Sequence, residues 1–239
     1  MEEKLNALML RGVDYKDNDK MLTLYSLEHG LVSAGIKGVK KAGAKLKFAS
    51  QPFCFAEYLL SVNGERATVT GATELESFYN LRLDITAFYC ATVIAEYLLK
   101  CAGEEADEPL FMLAINTIKG LNFATDNKIK LLASFLLKAL EYEGYGIKGE
   151  CCTTCNALAH LGDFAYFDFE KGCLFCEACK TEGSTRILPQ TAEALECLIA
   201  DEECDDDKIK YLLKFLSYYV ELKLGARLSS VEELLQIIN

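Results

Sequence analysis

The chain has 239 residues, 51% hydrophobic and 26% charged, a balance that excludes a disordered protein. No stretch approaches the ~20 apolar residues that cross a bilayer. The opening MEEKLNALML carries acids where an export signal carries bases, so a cytosolic protein with no membrane partner is expected. The net charge of −11 argues against nucleic acid on average, but residues 1–80 hold ten basic and ten acidic side chains, and the whole deficit lies in residues 81–239.

The first eighty residues read as strands. Leu5–Arg11 is a short apolar run followed by the turn-rich GVDYKDND. Lys20–Leu27 and Leu31–Ile36 are rich in strand formers and close at glycines. Phe48–Val62 reads as a fourth strand, with Pro52 marking a bend or edge at its start. Asn63-Gly64 is a hairpin dipeptide, and Ala67–Thr70 is the expected return strand. Five short strands predict a small closed barrel of the OB type over residues 1–78.

The period then changes from two to 3.6. Helices are expected over Leu81–Cys101, Pro109–Phe123, Asn127–Tyr142, Pro189–Ala200, Asp206–Leu224 and Val231–Ile238. In the first of these, charges fall only at Arg82, Asp84, Glu96 and Lys100, so it should be buried nearly all round. Asp205, Asp206 and Asp207 sit where a helix start favours acids, and Gly225 ends that helix. The expected fold is α+β and multidomain: an OB-fold barrel, then an all-α domain over 79–239 with a cysteine knuckle inserted at 150–182.

Six of the eleven cysteines fall in Cys151–Cys179. Cys152-x-x-Cys155 and Cys176-x-x-Cys179 stand twenty residues apart, a spacing suited to a four-thiolate zinc site. Such a closed shell leaves no position for a catalytic water. The competing reading is a redox CxxC. Register is open, since Cys151 and Cys173 adjoin the pairs and Cys173-x-x-Cys176 is itself a CxxC. Cys54, Cys90, Cys101, Cys197 and Cys204 lie in apolar segments and read as buried small side chains.

Between Glu28 and Glu57 there is no acid, and Lys37, Lys40, Lys41, Lys45 and Lys47 alternate with Gly38 and Gly43. Glycines let a backbone approach a ligand and lysines meet phosphates, although the order of a Walker loop is absent. The alternative is a solvated loop. Tyr15, Tyr25 and Phe53 offer stacking faces nearby. His29 and His160 have no recognisable partners in the sequence, and no catalytic motif is present, so a non-enzyme is expected.

Taken in order, these features resemble the RecO family of bacterial DNA repair proteins. The resemblance rests on ALMLRGVDYKDNDKMLTLYSLEHGLVSAGIKGVKK with Gln51-Pro52-Phe53 after it, on Gly144-Tyr145 ahead of a CxxC, on a glycine-led second CxxC at Gly172–Cys179, and on LGARLSS at Leu224–Ser230. Lys40 and Lys41 stand where the family has arginines, and Ile147 and Gly149 where it has Pro and Leu. The resemblance implies Zn²⁺ ligation by Cys152, Cys155, Cys176 and Cys179. It implies binding of single- and double-stranded DNA by an OB-fold, with Arg11, Lys37, Lys40, Lys41, Lys45 and Lys47 as contacts. It also implies strand annealing, and loading of recombinase RecA with RecR onto strands coated by SSB, whose C-terminal tail is a further partner, at the bacterial nucleoid. A zinc-containing adaptor without DNA affinity is the alternative. The acidic helical half should repel DNA and confine it to the barrel.

Overall fold

A computed structural model describes residues 2–238. By internal contacts the chain forms two compact units, Met1–Phe123 and Ala124–Asn239.

The first unit opens with β1 (Glu2–Tyr15), β2 (Asp19–Ser26), β3 (Gly30–Ile36), β4 (Phe55–Asn63) and β5 (Arg66–Glu76). They close into a barrel in the order β1-β2-β3-β5-β4, antiparallel except for the β3–β5 pair. Closure leaves no free edge and encloses Leu5, Ala7, Met9, Leu22, Leu24, Ile36, Tyr58, Leu60 and Val69. This is the OB-type barrel expected.

The strand limits differ where local signals misled. β1 runs on through the turn-like GVDY to Tyr15, because pairing from Arg11↔Thr23 to Tyr15↔Asp19 overrides local propensity. Phe48–Ser50 is a one-turn 3-10 helix and β4 starts only at Phe55. Pro52 has no donor for a ladder, and Phe53 takes a left-handed φ of 64°. β5 extends to Glu76, well past Thr70, since its far half pairs with Phe55–Leu59.

Helices α1 (Ile85–Cys101) and α2 (Glu108–Phe123) complete the unit. Asp84 caps α1 by accepting from Ala87 N at 2.8 Å, so the helix begins four residues later than periodicity suggests, after a 3-10 turn at Tyr79–Leu83. Phe55, Leu8 and Tyr25 form one row across the outside of the barrel. Phe111 of α2 covers that row, with ring centroids 5.7 Å from Tyr25 and 6.1 Å from Phe55. Phe88 of α1 meets Phe53 edge-on at 5.5 Å. Residues 79–123 therefore pack with the barrel, although the helical pattern begins after residue 78.

The second unit holds α3 (Lys128–Tyr142), then β6 (Ala165–Asp168), β7 (Cys173–Cys176) and β8 (Thr185–Ile187), then α4 (Pro189–Ile199), α5 (Asp206–Leu224) and α6 (Ser229–Ile237). The three strands form a small antiparallel sheet, order β7-β6-β8, so the cysteine insert is a β-structure and not a bare loop. Phe167 of β6 meets Phe215 and Tyr219 of α5 edge-on at 4.9 and 5.8 Å, which fixes the sheet to that helix. Asp206 and Asp207 lie in the first turn of α5 and Gly225 ends it with φ 67°, as the sequence indicates, while Asp205 serves as its cap.

Gly172 lies in the β6–β7 turn at φ 65°, and a Cβ there would sit 2.9 Å from Tyr219 Oη and 3.0 Å from Gly146 O. Gly144 has φ 81° but open space around it. Gly172→Ala should therefore lower stability by about 1–3 kcal/mol and Gly144→Ala by less, read as denaturation midpoints of the full chain.

Candidate functional site

The four cysteines Cys152, Cys155, Cys176 and Cys179 converge. Their sulfurs all lie within 4.8 Å of one another, and Cys155 Sγ is 3.6 Å from Cys176 Sγ. A tetrahedron with metal–sulfur bonds of ~2.3 Å has edges of about 3.8 Å, so the donor set could hold a metal ion.

Local backbone chemistry builds the cluster. Lys148 joins β7 through Lys148 N–H to Gly172 O at 2.8 Å and Leu174 N–H to Lys148 O at 3.0 Å. Thr153 donates from N and Oγ1 to Leu174 O at 2.9 and 3.0 Å, clamping the first knuckle onto the strand. Asn156, at φ 59°, turns the chain so that its N–H reaches Cys152 O at 2.9 Å. Cys176 ends β7, and a single 3-10 turn carries Cys179 back to it.

Cys152 is fully buried, Cys176 and Cys179 are half-buried, and Cys155 is exposed. Burial pushes the Cys152 thiol up, but the N–H groups of Cys176, Cys155 and Thr154 outweigh it and bring the thiol down to about 6. Contacts with the Cys155 and Cys176 thiols push Cys179 up to about 12. One thiolate thus makes the next unfavourable, a repulsion that a bound cation relieves. The two neighbouring cysteines turn elsewhere: Cys151 Sγ lies 3.9 Å from Asn156 Oδ1, and Cys173 Sγ 3.5 Å from Lys171 O.

Side chains outside the cluster hold its frame. Glu196 of α4, buried, accepts from Ala159 N–H at 2.6 Å and pairs with His160 Nδ1. Asp168, also buried, accepts from Glu170 N–H and Lys171 N–H at 3.0 Å across the β6–β7 turn. The Lys171 N–H is the main reason its carboxyl lies below the usual range. Both histidines therefore have partners that the sequence did not disclose, since His29 Nε2 pairs with Glu3. Cys54 and Cys90 are buried as expected, while Cys101, Cys197 and Cys204 are only half-buried.

On the barrel, a groove of about 590 Å³ is lined by Tyr15, by the bases Lys16, Lys20, Lys37 and Arg66, and by the acids Asp19 and Glu65. Its floor follows from register. Val13, Met21, Gly35 and Thr68 form one outward row; Arg11, Thr23 and Ser33 form the adjacent row. Arg11 is exposed on this face, as are Tyr15 and Lys37. A smaller hollow beside it is lined by Lys16, Asp17, Asn18, Asp19, Lys37, Gly38 and Lys41.

The lysine loop is ordered because Val39 is buried in the barrel core and Leu46 packs against it. Lys37, Lys40, Lys41, Lys45 and Lys47 are all exposed. Lys37 and Lys41 face the groove and the hollow, whereas Lys40 pairs with Asp14 at 2.6 Å. Of the aromatic candidates only Tyr15 is open, 51% exposed; Tyr25 and Phe53 are buried under the helices. Lys16, Lys20 and Arg66 escaped the sequence reading because Asp14, Asp17, Asp19 and Glu65 cancel them in any local charge count.

A closed five-stranded OB-type barrel, followed by helices with a small four-cysteine sheet inserted among them, defines the class of two-part barrel-and-helix proteins. Residues 1–78 match the family described as Recombination protein O N terminal, and residues 82–232 match Recombination protein O C terminal. The DNA repair protein RecO of Clostridium novyi is 31% identical over 77% of this chain and 72% of its own. Those of Pelotomaculum thermopropionicum and Desulforamulus reducens, bearing the same name, are 32% and 28% identical, over 82% and 92% of this chain and 76% and 91% of theirs. The chain belongs to the RecO family of DNA repair proteins. Among the described residues no helix is long and apolar enough to cross a membrane.

Two outcomes are expected. Metal analysis of the purified chain should show bound metal that is lost in Cys152→Ser and kept in Cys151→Ser and Cys173→Ser. Asp168 has a depressed folded pKa, so its contribution is present above the unfolded value of ~3.9 and lost as pH falls through the folded one. The stability gap between wild type and Asp168→Asn, about 1–3 kcal/mol by denaturant melts at neutral pH, should accordingly close in acid.

Proposed function

We propose that this protein binds single- and double-stranded DNA along the barrel groove and anneals complementary strands. In the same reading it loads recombinase RecA, together with RecR, onto strands coated by SSB, whose C-terminal tail it also contacts, and it does so at the bacterial nucleoid without catalysing a reaction. The observation that carries the reading is the groove itself, where Lys16, Lys20, Lys37 and Arg66 outnumber Asp19 and Glu65 and share the lining with the exposed Tyr15 on the strand face of an OB-type barrel. Cations meet phosphates of any sequence and an aromatic face stacks on any base, which suits a protein that must accept any two complementary strands. Arg11 extends this face by one row, and Lys41, Lys45 and Lys47 add charge along the loop.

The metal of the Cys₄ cluster is taken to be Zn²⁺, one per chain and structural. Four thiolates suit zinc, and four protein ligands leave no position for a catalytic water. The acidic composition beyond residue 80 supports confinement of the strand to the barrel.

Fluorescence anisotropy with labelled single- and double-stranded oligonucleotides tests the DNA reading. Affinity should fall steeply as salt rises, and Lys37→Glu with Lys41→Glu should weaken binding tenfold or more at low salt, by about 1.4 kcal/mol. Binding that is absent, or indifferent to salt, leaves the zinc-containing adaptor as the function.

A further inference from the structure

The lysine loop carries its own counter-charge. Asp14 of β1 places Oδ2 2.6 Å from Lys40 Nζ, and this hydrogen bond holds its carboxyl below the usual carboxylate range. A second acid reaches the loop in a different way. Asp19 Oδ1 accepts the Gly38 N–H at 2.8 Å, and the Lys40 N–H goes to Asn18 O at 3.1 Å. The loop backbone is thus held by Asp19, Asn18 and the buried Val39, while Asp14 bonds the Lys40 ammonium and feels the charge of Lys20 as well.

The contrast with the other lysines is direct. Among the described residues Lys37 and Lys41 form no ion pair, and both line the hollow that Lys16, Asp17 and Asp19 share. Lys40 is the member of the run whose charge is already spent, on a carboxylate whose side chain is 61% exposed. A phosphate arriving there must exchange with that carboxylate, and it also meets the negative charge displaced.

We propose that Asp14 is an internal stand-in for a nucleic-acid phosphate, which occupies Lys40 in the free protein and sets the affinity of the loop by competing with DNA for that ammonium. This rests on the DNA-binding reading above and deepens it, assigning Asp14 as an affinity-determining residue. A mediator that must hand strands on is served by contacts that exchange a ligand for an internal partner, since neither state leaves an ammonium without a counter-charge.

The test uses the full chain and a labelled single-stranded oligonucleotide of mixed sequence across a salt series. Asp14→Asn should bind about two- to fivefold more tightly at low salt. Its plot of log affinity against log salt should steepen by about 0.7, the increment for one more cation on a single strand. Adding Lys40→Gln to Asp14→Asn should abolish both gains. Weaker binding by Asp14→Asn, or an unchanged slope, overturns the proposal and makes Asp14 a positioning residue. A gain that survives Lys40→Gln also overturns it, because the acid then acts by general repulsion. A wild type without salt-dependent binding removes the DNA reading itself, an outcome visible before any variant is compared.

Discussion

The barrel depends on one irregularity in β1. This strand must pair with β4 through Glu2–Leu8 and with β2 through Ala7–Tyr15, so a single strand serves both sides of the closure. Leu10 is the extra residue at the change of partner, between Met9↔Leu24 and Arg11↔Thr23. Leu5, Ala7 and Met9 face the core before it. In an unbroken strand Arg11, Val13 and Tyr15 would share their parity and point inward too. The bulge turns these three outward, where Arg11 and Tyr15 belong to the basic face. Two residues on, a Cβ at Gly12 would meet Met9 Cε at 2.8 Å, so a larger residue there would have to displace the Met9 methyl.

How far the fold can be read from sequence follows from the range of the forces involved. The hairpin at Asn63-Gly64, the acids at the start of α5 and the stop at Gly225 are local and were visible. The extra turn of strand at Gly12–Tyr15 and the far half of β5 were not, because their partners lie distant in sequence and outvote local propensity. The sheet β6–β8 was hidden for another reason. Its strands are three or four residues long, too short to display a period, and they exist because Phe167 packs on α5 and Lys148 and Thr153 bond to β7. The CxxC spacing announced the four sulfurs, yet only their positions separate them from Cys151 and Cys173.

That small sheet shows why the cysteines belong where they are. Around Cys152, Cys173 and Phe175 the buried cluster is slight, supplemented by the partly exposed Tyr166, Cys176 and Cys179. That area, with Phe167 packed on α5 beside it, has to offset the entropy of ordering some thirty residues rich in turns. Buried polar anchors at Asp168 and Glu196 fix the two flanks, but the thiols at the centre repel as they ionise. A bound cation would turn that repulsion into cohesion and tie the two knuckles of the segment together.

Charge cancellation on the barrel has the same physical origin as its invisibility in the sequence. The ten acids that balance ten bases in residues 1–80 include Asp14 and Asp19, which hold parts of the lysine loop directly. A barrel with all of those bases unpaired would repel itself and bind any polyanion over its whole surface. Pairing Lys40 with Asp14 and Lys4 with Glu57 quiets those positions and leaves the positive charge to the groove, where Lys16, Lys20, Lys37 and Arg66 outnumber Asp19 and Glu65. Neutrality in the sum and a cationic groove in the fold are therefore one arrangement: the acids decide where the positive charge is allowed to act.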